Sequence, residues 1–396
     1  MLPGLGPYDA RVRRLITLVC ALVTCDLALW SAVVPLVPHY RDELSLSTIQ
    51  VAWMLAAFSL AVVAVSVPVG HLADRFGARL VTGIGTVLMS GATVGLALAS
   101  SFPELVAARL IQGAADATVW GAGLAWLAAR APVERRGEIV GYAQVAATVG
   151  IITGPFIGGV LTSAVGSRPT FLGMAVLFAV LLVGIALEPD ARIEPHRQAS
   201  IRAALRASLD ESLITASVIM ILVVAVVGGA LQLLVPLHLA SLGLNRAGIG
   251  LVYSVGAILG GTAVVITARV GDRVGRVPLA AGACAALALL LALFAVPAGL
   301  GVFVALVIAA SGVQSILYAV GYPLSTDGAD RAQLGHGVVL GLVNLMWGVG
   351  AVVGPLAGSR LAHWQGTRAS YALLALICGA TAVVFTRVQR APAPPP

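Results

Sequence analysis

Twelve apolar runs follow one another along this chain, separated by short breaks that carry arginine, proline or glycine. They lie at approximately 15–37, 48–70, 80–99, 104–129, 138–164, 169–187, 213–237, 247–268, 278–297, 300–322, 335–359 and 369–387. A helix crossing the hydrocarbon layer needs about 20 apolar residues, and each run is close to that length. Charge is too scarce for any other solution. Only 10% of the 396 residues are charged and 59% are hydrophobic, whereas a soluble domain carries about 25% charged residues. That composition excludes a soluble enzyme, a disordered chain and a disulfide scaffold. The expected fold is an all-α polytopic membrane protein with twelve transmembrane helices.

The arginines set the orientation. All 24 basic residues are Arg, and they sit in the breaks rather than along one stripe. The net charge of +7 therefore reads as topology and not as a nucleic-acid surface. With the N-terminus inside, 18 arginines fall on the inner side and five on the outer: Arg41, Arg168, Arg246, Arg360 and Arg368. Arg109 alone lies within a run. This asymmetry places both termini in the cytoplasm, in a multi-pass protein of the cell membrane. Arg11, Arg13 and Arg14 before the first run resemble a signal-peptide start, but no small-residue cleavage site follows, so that run reads as a retained helix. Cys20, Cys25, Cys284 and Cys378 fall inside apolar runs without metal-ligand spacing and read as buried small residues.

The longest hydrophilic stretch, 188–212, divides the chain into six-run halves at 1–187 and 213–396. Its segment 200–209 has the pattern of a short surface helix, and the Pro-rich tail 391–396 reads as disordered. The halves repeat each other. Asp74-Arg75 and Gly77 recur as Asp272-Arg273 and Gly275 at an offset of 198. Gly150, Gly154, Pro155 and Gly158 recur as Gly350, Gly354, Pro355 and Gly358 at an offset of 200, and Val34-Pro35-Leu36 as Val235-Pro236-Leu237 at 201. Three matches in one order at nearly one offset indicate duplication. The implied layout is two parallel six-helix bundles related by an axis along the membrane normal, with a substrate site between them near the midplane.

These motifs resemble those of the major facilitator superfamily, over about residues 11–390. Gly70-x-x-x-Asp74-Arg75-x-Gly77-x-Arg79 is similar to that superfamily's signature loop, and Gly271-Asp272-Arg273-Val274-Gly275-Arg276 is a second copy. Arg109-Leu-Ile-Gln112-Gly113 resembles its Arg-x-x-Gln-Gly motif. Gly150-x-x-x-Gly154-Pro155-x-x-Gly158-Gly159 resembles the span-five motif of its drug:proton antiporters, which favours export. Asp26 followed by Val33-Val34-Pro35-Leu36-Val37-Pro38 is similar to the first span of twelve-helix drug and vesicular amine antiporters. The later acids of vesicular amine transporters are missing: Asn344 stands in span eleven, and span ten has only neutral groups such as Gln314, Ser315 and Tyr318. By the resemblance, Asp74 and Asp272 belong to a conformational latch. Its candidate members are Gly70, Arg75, Gly77, Arg79, Arg130, Arg273, Gly275, Arg276 and the start of span eleven near Gly335; solvated turns with inner-side charges are the other reading.

Physically, an acid in mid-membrane costs at least about 2.5–3.5 kcal/mol even on the lenient insertion scale. Asp26 is therefore expected to face a cavity or a partner. On span four, Arg109, Gln112, Gly113, Asp116 and Trp120 fall within one helical arc. Counting 1.5 Å per residue from the outer ends puts Asp26 and Asp116 at similar depth. The expectation is that the two acids compete for protons and for a cationic or polar substrate, with Arg109 modulating them. The alternative is that Arg109 and Asp116 only tie helices together. Trp30, Gln112, Trp120, Gln144, Gln232, Tyr253, Gln314, Tyr318, Asn344 and Trp347 are candidate cavity residues, each of which could equally be packing. Trp126, near a helix end, reads as an interfacial anchor.

No metal spacing, phosphate loop or nucleophile–base pattern stands out, so neither an enzyme nor a cofactor is expected, and the proton gradient supplies the energy. The function expected is proton-coupled efflux of small organic, amphipathic or cationic compounds by alternating access. The partners are a small-molecule substrate and the lipid bilayer, with no nucleic acid, and the working unit is a monomer. A proton symporter of a metabolite is the alternative, and a non-transporting membrane sensor or scaffold is the rival from another class.

Overall fold

The computed structural model describes residues 10–130, 135–189, 211–334 and 336–390. Among them the regular structure is helical. The helices are α1 (Ala10–Ala32), α2 (Thr48–Phe76), α3 (Ala78–Leu98), α4 (Phe102–Arg130), α5 (Arg136–Phe156), α6 (Ser167–Leu187), α7 (Ser212–Ser241), α8 (Arg246–Val274), α9 (Arg276–Phe294), α10 (Leu300–Arg331), α11 (His336–Gln365) and α12 (Thr367–Arg390). α1 runs on through a tight turn at Val34–Leu36 into Val37–Glu43, and α5 through a wide turn at Ile157–Leu161 into Thr162–Val165. Eleven helices among the described residues are long and apolar enough to cross a membrane. The twelfth, α4, has the length, but Arg109, Gln112 and Asp116 lower its apolarity. The segment 200–209 and the tail 391–396 lie outside the described residues.

Most helices overrun the apolar runs in the sequence. α2 and α8 carry their Asp-Arg pairs inside the last turn and stop at Gly77 and Gly275, both at φ +90°. Only glycine takes that conformation without strain, so the same residue ends the same helix in each repeat. Gly166 (φ +94°) and Gly366 (φ +84°) do likewise between α5 and α6 and between α11 and α12.

The chain forms two compact units. The first comprises 1–46, 57–196 and 246–254; the second comprises 47–56, 197–245 and 255–396. In the first, α1 packs on α5, α3 on α4 and α6, and α1 more lightly on α4. In the second, α7 packs on α11, α9 on α10 and α12, and α7 on α10. Adding six to each helix number in the first set gives the second, so the duplication seen in sequence is also a duplication of packing.

The glycine stripes give this packing its register. A Cβ on Gly150 would sit 2.5 Å from the Thr24 carbonyl oxygen, one on Gly154 would strike the Ala28 carbonyl, and one on Gly158 the Ala32 carbonyl. In the second unit Gly350 meets the Leu222 carbonyl, Gly354 that of Val226, and Gly358 lies on Ala230. Thr24, Ala28 and Ala32 map onto Leu222, Val226 and Ala230 at a constant offset of 198. Proline comes three residues after Ala32 but six after Ala230, which accounts for the offset of 201 at Pro35 and Pro236. α7 absorbs the extra residues as continuous helix, whereas α1 tightens at Val34–Leu36.

Trp126 is a correction to the sequence reading. It is fully buried, with its indole nitrogen unpartnered among the described residues, rather than placed as an interfacial anchor. Cys20, Cys284 and Cys378 are buried and Cys25 is partly buried, all as free thiols.

Candidate functional site

In the first unit α1 and α4 bring together the polar groups that the sequence singles out. Asp26 is fully buried, between the Thr24 and Ala28 positions that carry the α5 stripe. Its carboxylate lies beside the Asp116 carboxylate and the Trp120 indole. Neither Asp26 oxygen has a hydrogen-bond partner of good geometry among the described residues. A buried polar group without a partner is costly, and two ionised carboxylates side by side repel each other as well. The geometry therefore offers a place for a proton or a cation.

Arg109 lies further along the same face of α4 and is 2% exposed. One guanidinium nitrogen donates to Gln112 Oε1 at 2.7 Å. The guanidinium carbon stands 4.8 Å from the centroid of the Phe58 ring on α2, a cation–π contact. Phe58 in turn lies 6.5 Å, centroid to centroid, from Trp30 on α1. Arg109 Nε, Gln112 Nε2 and the buried Tyr40 hydroxyl have no hydrogen-bond partner among the described residues, and Tyr40 and Asp116 are the ionisable neighbours of Arg109. Gly113 makes the approach possible: a Cβ there would collide with the Phe58 carbonyl oxygen. The Arg-x-x-Gln-Gly sequence is thus one device, in which the glycine admits α2 and the arginine uses its ring. Gln144, by contrast, is exposed on α5.

The second unit holds a neutral constellation. Gln314 Nε2 donates to the Val224 carbonyl oxygen at 3.2 Å, and the Tyr322 hydroxyl to Asn344 Oδ1 at 3.0 Å. Tyr318 lies in hydrogen-bonding contact with Trp347. Gln232 is half-buried on α7 of this unit, whereas Tyr253 belongs to the 246–254 segment of the first.

At the arginine-rich helix ends, Asp74 is exposed and forms no ion pair among the described residues. Arg75 stands 5.2 Å from the Phe76 ring centroid. Arg79 donates to the carbonyls of Ala186 and Glu188, and Arg130 to that of Pro189 at 2.8 Å. Arg14 lies 3.6 Å from the buried Glu188 carboxylate. Arginines from α3 and α4 thus gather on main-chain carbonyls at and just beyond the end of α6, and one from α1 faces the Glu188 carboxylate there, where cations offset the negative end of the helix dipole. In the second unit Arg276 donates to both oxygens of Asp327 on α10, beside a cavity of about 320 Å³ lined also by Gly275, Leu324 and Arg331. The Asp272 side chain and Gly335 lie outside the described residues.

The motif glycine Gly159 meets Gly250 of the 246–254 segment: a Cβ on Gly159 would lie 2.6 Å from the Gly250 Cα. Phe58, Tyr40, Glu188, Tyr322 and Asp327 were not anticipated. Tyr322 lies one turn beyond Tyr318 on α10 and Asp327 precedes Arg331 by four, spacings that could have pointed to both. Phe58 carries no polar signal.

A family model described as Major Facilitator Superfamily matches residues 19–338 and 213–396. Over 186 residues the chain is 34% identical to a protein of Schizosaccharomyces pombe described as uncharacterized MFS-type transporter C18.02, covering 46% of this chain and 40% of that one. Over 164 residues it is 29% identical to Multidrug resistance protein 1 of Bacillus subtilis, covering 41% and 42%. The matched segments thus span less than half the length of these relatives. The crystal structure of the nucleoside transporter NupG superposes with a TM-score of 0.77 at 14% identity, over 96% of this chain and 100% of that one, a likeness of fold.

Proposed function

The chain belongs to the major facilitator superfamily, and from that premise we propose that it exports small cationic or amphipathic organic molecules in exchange for protons. The observation that carries the reading is the contact between Asp26 and Asp116. Two carboxylates sharing a buried site hold a proton or a cation between them at less cost than they hold two charges. A cationic substrate arriving at the pair displaces the proton, and a proton arriving from the other side displaces the substrate. Arg109, one face of its guanidinium on Phe58, keeps a fixed positive charge near Asp116. One proton entering down the potential supplies about 2.3 kcal/mol per 100 mV, plus the pH difference.

The name of the Bacillus subtilis relative, a multidrug resistance protein, agrees with export of organic compounds. Placement of both termini in the cytoplasm rests on the arginine asymmetry. In the same reading Asp74, exposed here, and Asp272 in the last turn of α8 belong to a latch that engages in another conformation, and alternating access moves the acid pair between the two sides.

The test is counterflow in proteoliposomes. Protein reconstituted with a pH gradient of either sign is offered tetraphenylphosphonium as a permanent organic cation. Cation movement opposite to the proton gradient supports antiport. Movement with the gradient indicates the symport alternative, and no gradient-dependent movement of this or other organic cations indicates a non-transporting protein.

A further inference from the structure

The constant offset of 198 maps more than the glycine stripes. Applied to the acid pair, it carries Asp26 onto Val224, Asp116 onto Gln314, Trp30 onto Gly228 and Trp120 onto Tyr318. The register is supported independently on α2 and α4. Phe58 and Gly113 touch in the first unit, and their counterparts Gly256 and Ser311 touch in the second, where a Cβ on Gly256 would lie 2.8 Å from Ser311 Oγ.

The mapped residues meet in both units. Asp116 reaches the Asp26 side chain, whereas Gln314 reaches the Val224 main chain, its Nε2 donating to the carbonyl oxygen at 3.2 Å. Gly228 makes room for this: a Cβ there would lie 2.6 Å from Gln314 Nε2, in the position where the first unit carries Trp30. A carboxylate at Gln314 could not make the bond, because it has no donor and a carbonyl oxygen needs one. A protonated carboxylic acid could. An amide therefore does here what an acid does only with its proton on.

We propose that Gln314 is a positioning residue standing in for a permanently protonated acid. It ties α10 to α7 whatever the pH, so that of two duplicated polar contacts only the one between α1 and α4 answers to a proton. The comparison with α1 and α4 rests on the proton-exchange reading above. The role of Gln314 within the second unit does not, and the experiment separates the two.

Purified protein in detergent, without a gradient, is melted at a series of values from about pH 5 to about pH 10, a range that covers the ionisation of a glutamic acid raised by an apolar site to as high as about 8–9. Wild type, Gln314→Glu, Gln314→Leu and Gly228→Ala are compared, each also in an Asp116→Asn background. Gln314→Leu and Gly228→Ala are expected to melt lower at every pH. Gln314→Glu is expected to match wild type at the acid end and fall towards Gln314→Leu as pH rises, because its donor is lost with its proton. That acid rescue should persist in the Asp116→Asn background. Equal melting of Gln314→Leu and wild type would overturn the proposal, as would a Gln314→Glu curve parallel to wild type. Acid rescue of Gln314→Glu, together with unaltered proton exchange in Asp116→Asn, would leave Gln314 in its role and remove the proton from the first unit.

Discussion

Asp26 of α1 and Asp116 of α4 lie carboxylate to carboxylate beside the Trp120 indole, with Arg109 further along the same face of α4. If a proton and a cation compete for this pair, binding of tetraphenylphosphonium must weaken as pH falls. The apparent dissociation constant is expected to rise by up to about tenfold per pH unit while one proton is being displaced. The slope should disappear in Asp26→Asn and in Asp116→Asn. Equilibrium binding across pH in detergent measures it, and a pH-independent constant in wild type would exclude competition.

The contact of Arg109 with Phe58 needs the ring as well as the charge. A double-mutant cycle with Arg109→Gln and Phe58→Leu, read by thermal unfolding, is expected to give a coupling of about 0.5–2 kcal/mol. Arg109→Lys should recover only part of it, because an ammonium makes a poorer ring contact and cannot span to Gln112 in the same way. Additive single effects would show the ring contact to be incidental.

The glycine stripe of α5 has no room to give. Gly154→Ala and Gly158→Ala place a methyl against the main chain of α1, which cannot move aside as a side chain can. Each is expected to destabilise by about 1–3 kcal/mol, as is Gly354→Ala against Val226. Gly173 on α6 has nothing within 4 Å of its added Cβ, so Gly173→Ala should stabilise by up to about 1 kcal/mol instead. Melting temperatures of the set decide it.

Arg79 and Arg130 hold main-chain carbonyls at and just beyond the end of α6. Arg79→Ala is expected to raise hydrogen exchange over the end of α6 while leaving α3 protected, at a cost of about 0.3–1 kcal/mol. Uniformly faster exchange across the first unit would instead mean a general loss of packing. On the second unit, Arg276→Asp with Asp327→Arg should recover part of the stability lost in either single variant.

The fold was legible because apolar length and internal repetition are properties of the chain itself. α4 was recognised as a span from its length and its one polar arc, even though those polar residues lower its apolarity. Asp26, Asp116, Arg109 and Trp120 could be placed together by counting along helices that need no side-chain detail. Phe58 and Tyr40 could not, since which apolar face meets Arg109 depends on how α2 packs across Gly113. The partners of Arg79 and Arg130 were also hidden. The motif points to the carboxylate of Asp74, whereas Arg79 and Arg130 donate to main-chain carbonyls, which no residue type advertises. Gln314 shows a different limit: it is one more neutral polar residue until the repeat is mapped residue by residue onto α4.

The most direct test of the central claim is proton release on binding. Wild-type protein in weakly buffered detergent solution, held near neutral pH and mixed with tetraphenylphosphonium, is expected to acidify the medium, and Asp26→Asn and Asp116→Asn to bind the cation without acidifying it. Binding by wild type with no proton released, or release undiminished in both variants, would contradict the assignment of the proton to this pair.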